Sequence, residues 1–215
     1  MMKKNEEVAP HIYGNYEDKY KAENPIAKFM MGNFIENFKK NLLSLEKEKI
    51  DSICEVGCAE GELLKITNSI YLSTSLYASD ISEEEIQKAK ENCNSFPVEF
   101  SVQSAENLEE YEDASFDLLL CCEVLEHLEN PEKGLRELCR ISKKYILLSV
   151  PNEPIWRVLN MARGKYLKDF GNTPGHINHW SIWNFSKFLA TASDYSIIRR
   201  SYPFPWQMVL LEKKI

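Results

Sequence analysis

Apolar side chains recur along this chain with two different spacings, and the alternation between them outlines a fold. Between positions 26 and 45 they fall every third or fourth residue, the spacing of a helix with one buried face. Strand-like runs then recur at about 51–56, 75–79, 98–102, 116–121 and 145–150. Helical segments lie between most of them, up to about position 70 and at about 83–93 and 131–141. Strands alternating with helices predict an α/β fold, with a doubly wound, mostly parallel sheet and helices on both faces.

The last part of the chain has a different pattern. A helix is expected at about 182–191, followed by strand-like runs at about 196–202 and 207–212. The connection between those two runs, at positions 203–206, is too short for a crossover helix. We therefore expect the two strands to pair antiparallel, so that a seven-stranded sheet closes with a C-terminal antiparallel hairpin.

Composition narrows the function classes. The 215 residues fit one domain, and 33 acidic residues against 26 Lys and Arg give a net charge of −7. A protein that binds nucleic-acid phosphates broadly usually has a basic excess, so such binding is disfavoured. Six cysteines without C-x-x-C spacing favour reduced thiols. No stretch has the pattern of a signal peptide or the length of a membrane span, so we expect a cytoplasmic protein, and the sequence leaves its oligomeric state open.

The most informative motif lies at the end of the first predicted strand. Glu55 ends an apolar run, and Gly57 and Gly61 bracket three small or polar residues before a helix begins. Gly57 permits a tight backbone turn, and Gly61 permits close approach of the following helix. The helix N-terminus favours anionic groups while Glu55 adds a carboxylate, which suits a zwitterionic or cationic nucleoside better than a pyrophosphate.

Asp80, at the end of the second predicted strand, is the next candidate. A carboxylate there can accept hydrogen bonds from both hydroxyls of a ribose. The alternative is a structural role at the start of a helix, since Ser82-x-x-Glu85 is a capping-box pattern. Both roles are compatible, because Ser82 can cap the helix while Asp80 binds a ligand.

These residues resemble the Rossmann-like (class I) methyltransferases that use S-adenosylmethionine (SAM). Their first motif, acidic-x-Gly-x-Gly-x-Gly, is matched by Glu55, Gly57, Ala59 and Gly61, with Ala59 in a glycine place. A second landmark is the buried strand from Phe116 that leads into a Leu-Glu-His-Leu segment ending at Leu128. The resemblance covers about 50–150. It implies that SAM is bound by Glu55, Gly57, Cys58, Gly61, Asp80, Ile81, Ser104, Ala105 and Cys122.

The catalytic candidates are His127, His176 and His179, of which at least one is expected to face the methyl group as a general base. A metal site is the alternative, with Glu123, Glu126, His127 and His179 as candidate ligands for a divalent cation. The pattern resembles that of small-RNA 2′-O-methyltransferases and some quinone-pathway O-methyltransferases, in which a metal holds vicinal hydroxyls. A divalent metal is possible on this pattern, but the metal-free reading is favoured.

Two flanking segments are expected to complete the site. Residues 1–48 are predicted to form a helical lid over SAM, in which the tyrosines at 13, 16 and 20 either enclose the cofactor or pack. Residues 151–180 form an insertion on the acceptor side, with a helical face of Ile155, Val158, Leu159, Ala162 and Tyr166 and several basic residues. We read it as a lid over an anionic or lipophilic acceptor, and a packing helix with a solvated basic face is the alternative.

The function expected from these features is methyl transfer from SAM to a small-molecule acceptor, at oxygen. Three alternatives remain open at this point. They are a noncatalytic SAM sensor or scaffold, a metal-dependent O-methyltransferase acting on vicinal hydroxyls of an RNA end or quinone precursor, and an NAD-dependent oxidoreductase.

Overall fold

The structure, a computed structural model, describes residues 25–214, and the three lid tyrosines lie outside that range. The helices are α1 (Pro25–Leu43), α2 (Glu62–Ile70), α3 (Glu83–Asn92), α4 (Pro131–Ile141), α5 (Ile155–Ala162) and α6 (Ile182–Leu189). The strands are β1 (Ser52–Val56), β2 (Ser75–Asp80), β3 (Glu99–Val102), β4 (Phe116–Cys122), β5 (Ser142–Pro151), β6 (Tyr195–Ser201) and β7 (Trp206–Lys213). Short 3-10 turns lie at Lys47–Lys49, Leu125–His127 and Leu167–Asp169.

All seven strands form one sheet in the order β3-β2-β1-β4-β5-β7-β6. The first five pair in parallel, whereas β7 runs antiparallel to both β5 and β6. This confirms the predicted mostly parallel sheet and its closing hairpin. The strand order reverses between β1 and β4, and ligands of open α/β sheets bind outside the carboxyl ends of the strands at such a point.

Neighbouring residues of the central strands point to opposite faces of the sheet, which divides the core into two layers. In β4, Leu118 and Leu120 pack with α1 and α2, whereas Leu119 and Cys121 pack with α4 and α6. Because both faces are covered, these strands are mainly apolar on both faces instead of alternating with polar residues. No helix within the described part of the chain has the length and apolar character that crossing a membrane requires.

The insertion after β5 differs from its predicted pattern. Helix α5 ends at Ala162, and it turns Trp156 and Asn160 inward while Val158 is 54% exposed. The predicted face, which included Val158, is wrong because polar contacts set the rotation of the helix. The Asn160 amide donates to the carbonyl of Gly171, and the Trp156 indole donates to the Thr173 hydroxyl.

We expect Gly171→Ala to destabilise the fold more than Gly164→Ala. Both glycines have positive φ, +76° and +70°, so each alanine costs about 1–2 kcal/mol of backbone strain. A Cβ at Gly171 would also lie 2.1 Å from the carbonyl oxygen of Arg157, whereas a Cβ at Gly164 meets nothing within 4 Å. That clash adds about 1–3 kcal/mol to the loss of unfolding free energy in Gly171→Ala, which urea denaturation measures. Equal losses in the two variants would contradict the close packing of this loop on α5.

Candidate active site

The turn after β1 is fixed to the end of β2 by backbone hydrogen bonds. The N–H groups of Gly57 and Cys58 both donate to the carbonyl of Ser79, at 2.7 and 3.0 Å. Gly57 has a φ of +77°, and a Cβ there would lie 2.3 Å from Cγ2 of Val124. A side chain at this position would therefore be strained and would collide with the loop that follows β4.

Glu55 lies at the carboxyl end of β1 and is only 3% exposed. Its Oε2 has no hydrogen-bond partner among residues 25–214. Burial, and secondly the charge of Asp80, raise the pKa of Glu55 well above the usual range of a glutamate. A buried carboxylate with an unsatisfied oxygen is costly unless a partner compensates it, so Glu55 is suited to a positively charged or hydrogen-bond-donating ligand.

Asp80 holds the glycine turn and the start of α3 together. One carboxylate oxygen accepts the N–H of Ala59 and the other accepts the N–H of Ser82, both at 2.9 Å. Burial raises the pKa of Asp80, and these hydrogen bonds oppose that rise. Ser82 caps α3 by accepting the N–H of Glu85, so the capping part of the sequence prediction is confirmed.

A cavity opens at this edge of the sheet, with an empty volume of about 490 Å³. Four of the predicted cofactor residues line it: Glu55, Gly57, Cys58 and Cys122. Among the lining residues that the sequence interpretation missed are Met31 and Phe34 of α1 and Trp206 of β7. In the sequence, these side chains have the pattern of ordinary core residues, because only the folded sheet brings α1 and β7 beside the glycine turn.

The other predicted cofactor residues do not line this cavity. Gly61 is the residue that precedes α2. Ile81 follows β2 and is 47% exposed. The Ser104 hydroxyl accepts the N–H of Glu106, and Ala105 is buried in the core layer of α4.

The loop after β4 is bound to the insertion through its backbone. Glu123, in a left-handed conformation, donates its N–H to the carbonyl of Ser149, and its carboxylate accepts the Ser149 hydroxyl, both at 3.0 Å. The carbonyl of Glu126 accepts the N–H groups of Ile177 and Asn178, at 2.9 and 3.0 Å. The segment around 175–178 is therefore held directly against the Leu-Glu-His-Leu segment.

This arrangement brings Glu126, His127 and His176 together. Atoms capable of binding a metal, one from each side chain, all lie within 4.8 Å of one another. The two imidazole rings meet edge to face at 4.8 Å, and His127 Nδ1 lies 2.9 Å from the carbonyl oxygen of Gly175. Glu126 is fully buried and His176 is 4% exposed, so the three groups form a largely dry polar cluster.

The remaining candidates of the catalytic and metal predictions lie outside this cluster. His179 Nε2 is 2.8 Å from the Asn172 side-chain oxygen. Burial, and then the charge of Arg157, lower the pKa of His179. Glu123 lines the cavity beside the glycine turn. Glu123 and His179 are thus not among the groups whose metal-binding atoms lie within 4.8 Å of one another.

Residues 54–147 match the family described as methyltransferase domain. The chain is 28% identical over 120 residues to a ubiquinone biosynthesis O-methyltransferase of Xanthomonas oryzae pv. oryzae, covering 54% of this chain and 49% of that protein. It is 29% identical over 89 residues to a malonyl-(acyl-carrier protein) O-methyltransferase of Anoxybacillus flavithermus, covering 41% of this chain and 34% of that protein. The matches therefore span about half of the first relative and a third of the second.

Among solved structures, a SAM-dependent methyltransferase from Aquifex aeolicus aligns with a TM-score of 0.69 at 19% identity, covering 94% of this chain and 100% of that one. Magnesium protoporphyrin IX methyltransferase from Synechocystis PCC 6803, with bound SAH, aligns with a TM-score of 0.67 at 17% identity, covering 89% of this chain and 88% of that one. At such identities these likenesses support the fold alone. Residues 54–147 thus match a methyltransferase domain, and the chain has the Rossmann-like fold of the SAM-dependent methyltransferases. The family resemblance inferred from Glu55, Gly57 and Gly61 is confirmed, and the match decides against an NAD-dependent oxidoreductase.

We expect the stability of the ligand-free methyltransferase domain to fall as the pH rises, and Glu55→Gln to reduce that fall. The folded protein holds the Glu55 proton more tightly than the unfolded chain does. Its contribution to stability is therefore present at acidic pH and is lost as the pH rises from the ordinary glutamate pKa of about 4.3 toward the raised value.

Urea denaturation from about pH 5 to about pH 8 measures this difference. Glu91→Gln, which neutralises an exposed glutamate at the end of α3, is the matched control and should keep the wild-type slope. If Glu55→Gln shows the wild-type slope as well, the buried carboxylate is not the group that weakens the ligand-free fold.

Proposed function

We propose that this chain transfers the methyl group of SAM to an oxygen atom of a small-molecule acceptor. The observation that carries the proposal is the cavity at the carboxyl ends of β1 and β4, where the glycine turn meets the buried, unsatisfied Glu55 carboxylate. Two sequence relatives are both named O-methyltransferases, which favours oxygen over carbon or nitrogen.

The residues at this cavity suit SAM. Glu55 Oε2 is buried and would accept a hydrogen bond from an ammonium group, which compensates both charges. The Asp80 carboxylate at the end of β2 is the candidate for the ribose hydroxyls, and Ile81, Ser104 and Ala105 are the candidates on the adenine side. The Asp80 oxygens already accept one N–H each, and a carboxylate has the lone pairs to accept further hydrogen bonds.

Bound SAM would supply an electrophilic methyl group on a positively charged sulfur. The acceptor oxygen forms its bond to the methyl carbon as the carbon–sulfur bond breaks, and the hydroxyl proton passes to a base. Met31, Phe34 and Trp206 wall the cavity with apolar surface and would exclude water from the reacting atoms. Catalysis then depends mainly on holding the acceptor in line with the breaking bond.

The cluster of Glu126, His127 and His176 is the candidate for the proton step. Two imidazoles beside a buried carboxylate can accept a proton and stabilise the resulting charge. The same three groups, within 4.8 Å of one another, also fit a divalent transition metal, which would hold a pair of vicinal hydroxyls. The metal-dependent reaction is therefore the second candidate function, with His176 in the ligand set instead of His179.

We expect Asp80→Asn to weaken SAM binding at least tenfold in isothermal titration calorimetry, because the loss of a charged acceptor for hydroxyl groups costs about 1.5–3 kcal/mol. Asp194→Asn, at an exposed turn before β6, changes the charge equally and should bind SAM as the wild type does. Unchanged affinity in Asp80→Asn would refute the ribose assignment, and absence of SAM binding to the wild type would refute the proposed function.

We expect His127→Ala and His176→Ala each to reduce methyl transfer by about 10²–10⁴-fold, the usual contribution of a positioned acid or base. Transfer is measured with labelled SAM and a metabolite extract as the source of acceptors. His179→Ala should lose much less of the methyl-transfer activity, since the His179 ring contacts Asn172 instead of the cluster. A noncatalytic SAM sensor would bind SAM in calorimetry and yield no methylated product.

A chelator distinguishes the two roles proposed for the cluster, a general base and a metal site. If a metal is required, chelation should abolish transfer by the wild type and Mn²⁺ should restore it, whereas His176→Ala should fail to bind Mn²⁺ in calorimetry. If the cluster is a base, chelation should leave the wild-type rate unchanged. Full activity of both alanine variants would assign the two histidines to structure.

A further inference from the structure

A second cavity lies beside the one at the glycine turn, between α1, α5 and the loop that follows α5. Its empty volume, part of which is open to solvent, is about 630 Å³. The two cavities share two wall residues, Met31 and Trp206. The two cavities therefore adjoin at these two side chains.

The inner wall of this second cavity is apolar and aromatic. Met30, Trp156 and Trp206 contribute to it, and the two indole rings lie 5.5 Å apart between centroids. The Trp206 indole N–H is buried and has no hydrogen-bond partner within residues 25–214. Such a wall suits a flat, apolar or aromatic molecule that carries a hydrogen-bond acceptor near Trp206.

The outer part of the cavity is cationic. Arg163 and Lys165 line it, and no Asp or Glu is among the lining residues of the described chain. Neither cation forms an ion pair with a carboxylate of residues 25–214. In a chain with a net charge of −7, two cations in a wall without a carboxylate favour an anionic ligand there.

Asn160 holds the Arg163 guanidinium and the backbone of Lys165. This residue is 1% exposed, its side-chain oxygen accepts a hydrogen bond from the Arg163 guanidinium, and its backbone carbonyl accepts the N–H of Lys165 at 2.8 Å. Its amide in turn donates to the Gly171 carbonyl and the Thr173 hydroxyl. The bond to Asn160 uses one of the five guanidinium donors, so Arg163 can still bind a carboxylate through two others.

We propose that this second cavity holds the acceptor and that the acceptor is an aromatic carboxylate, with its anionic group bound by Arg163 and Lys165. This inference rests on the proposed methyl transfer. These two residues line the second cavity and not the first. The carboxylate therefore lies at the end away from the cofactor, and the oxygen that receives the methyl group lies at the end beside Met31 and Trp206.

A matched pair of probes tests this without turnover. Calorimetry compares 2-naphthoate with 2-naphthamide, which share a ring system and differ in charge, on the full chain saturated with S-adenosylhomocysteine. We expect naphthoate to bind the wild type at least tenfold more tightly than naphthamide, as expected for a charged pair that replaces a neutral one. Equal affinities, or no measurable binding of naphthoate, would overturn the proposal.

The double variant Arg163→Gln/Lys165→Gln should reduce the ratio of the two affinities to within twofold. Lys90→Gln/Lys168→Gln removes two exposed cations that do not line the cavity, changes the net charge equally and should keep the wild-type ratio. A retained ratio in the first variant, or a lost ratio in the second, would refute the assignment of Arg163 and Lys165.

The result of this probe-binding test can be distinguished from the result of the SAM-binding test of the proposed function. Binding of S-adenosylhomocysteine, titrated alone in each variant, should be unchanged, which also establishes that the variant is folded. If the wild type fails to bind SAM, methyl transfer is refuted. If it binds SAM and does not distinguish naphthoate from naphthamide, only the aromatic carboxylate is refuted.

Discussion

The joining of two strand ends by backbone hydrogen bonds is the constraint on which this site depends. Ser79 at the end of β2 accepts the N–H groups of Gly57 and Cys58, and Asp80 accepts that of Ala59. These bonds leave the turn no freedom to extend over the sheet edge, so the cavity stays open and Glu55 remains buried beneath it. A buried carboxylate lowers the stability of the ligand-free fold, and the parallel sheet around it supplies the stability that offsets this cost.

The same logic applies after β4, where two irregular segments fix each other's shape. The Glu126 carbonyl accepts two N–H groups from the insertion, and the Asn178 amide donates to the carbonyls of Leu125 and Leu128. These are backbone and amide contacts that satisfy polar groups which would otherwise be buried without partners. The position of His176 against His127 is therefore a consequence of how two loops satisfy their hydrogen bonds, and it needs no regular element of its own.

The local pattern of the sequence was sufficient to predict those elements that short-range interactions determine. The strands, the glycine turn at Gly57 and the Ser82 cap each have a short-range cause, either periodicity or backbone geometry, and each was found from the sequence. The rotation of α5 and the lining by Trp206 have long-range causes. Asn160 faces inward because residues eleven to thirteen positions later complete its hydrogen bonds. His176 and His179 lie three residues apart in a segment without periodicity, so no spacing rule separates the one in the cluster from the one outside it.

Under the proposed function, the distribution of charge gives the site a direction. Glu55 and Glu123 place carboxyl groups at the first cavity, whereas Arg163 and Lys165 place positive charge in the second cavity. An acceptor that carries an anion is attracted in one orientation, with its carboxylate beside the two cations. In the reverse orientation its carboxylate would lie toward the first cavity, where no Lys or Arg is among the lining residues of the described chain, and a buried charge without a partner is costly. The difference between these two orientations sets the preference, since selectivity is a difference between two binding free energies.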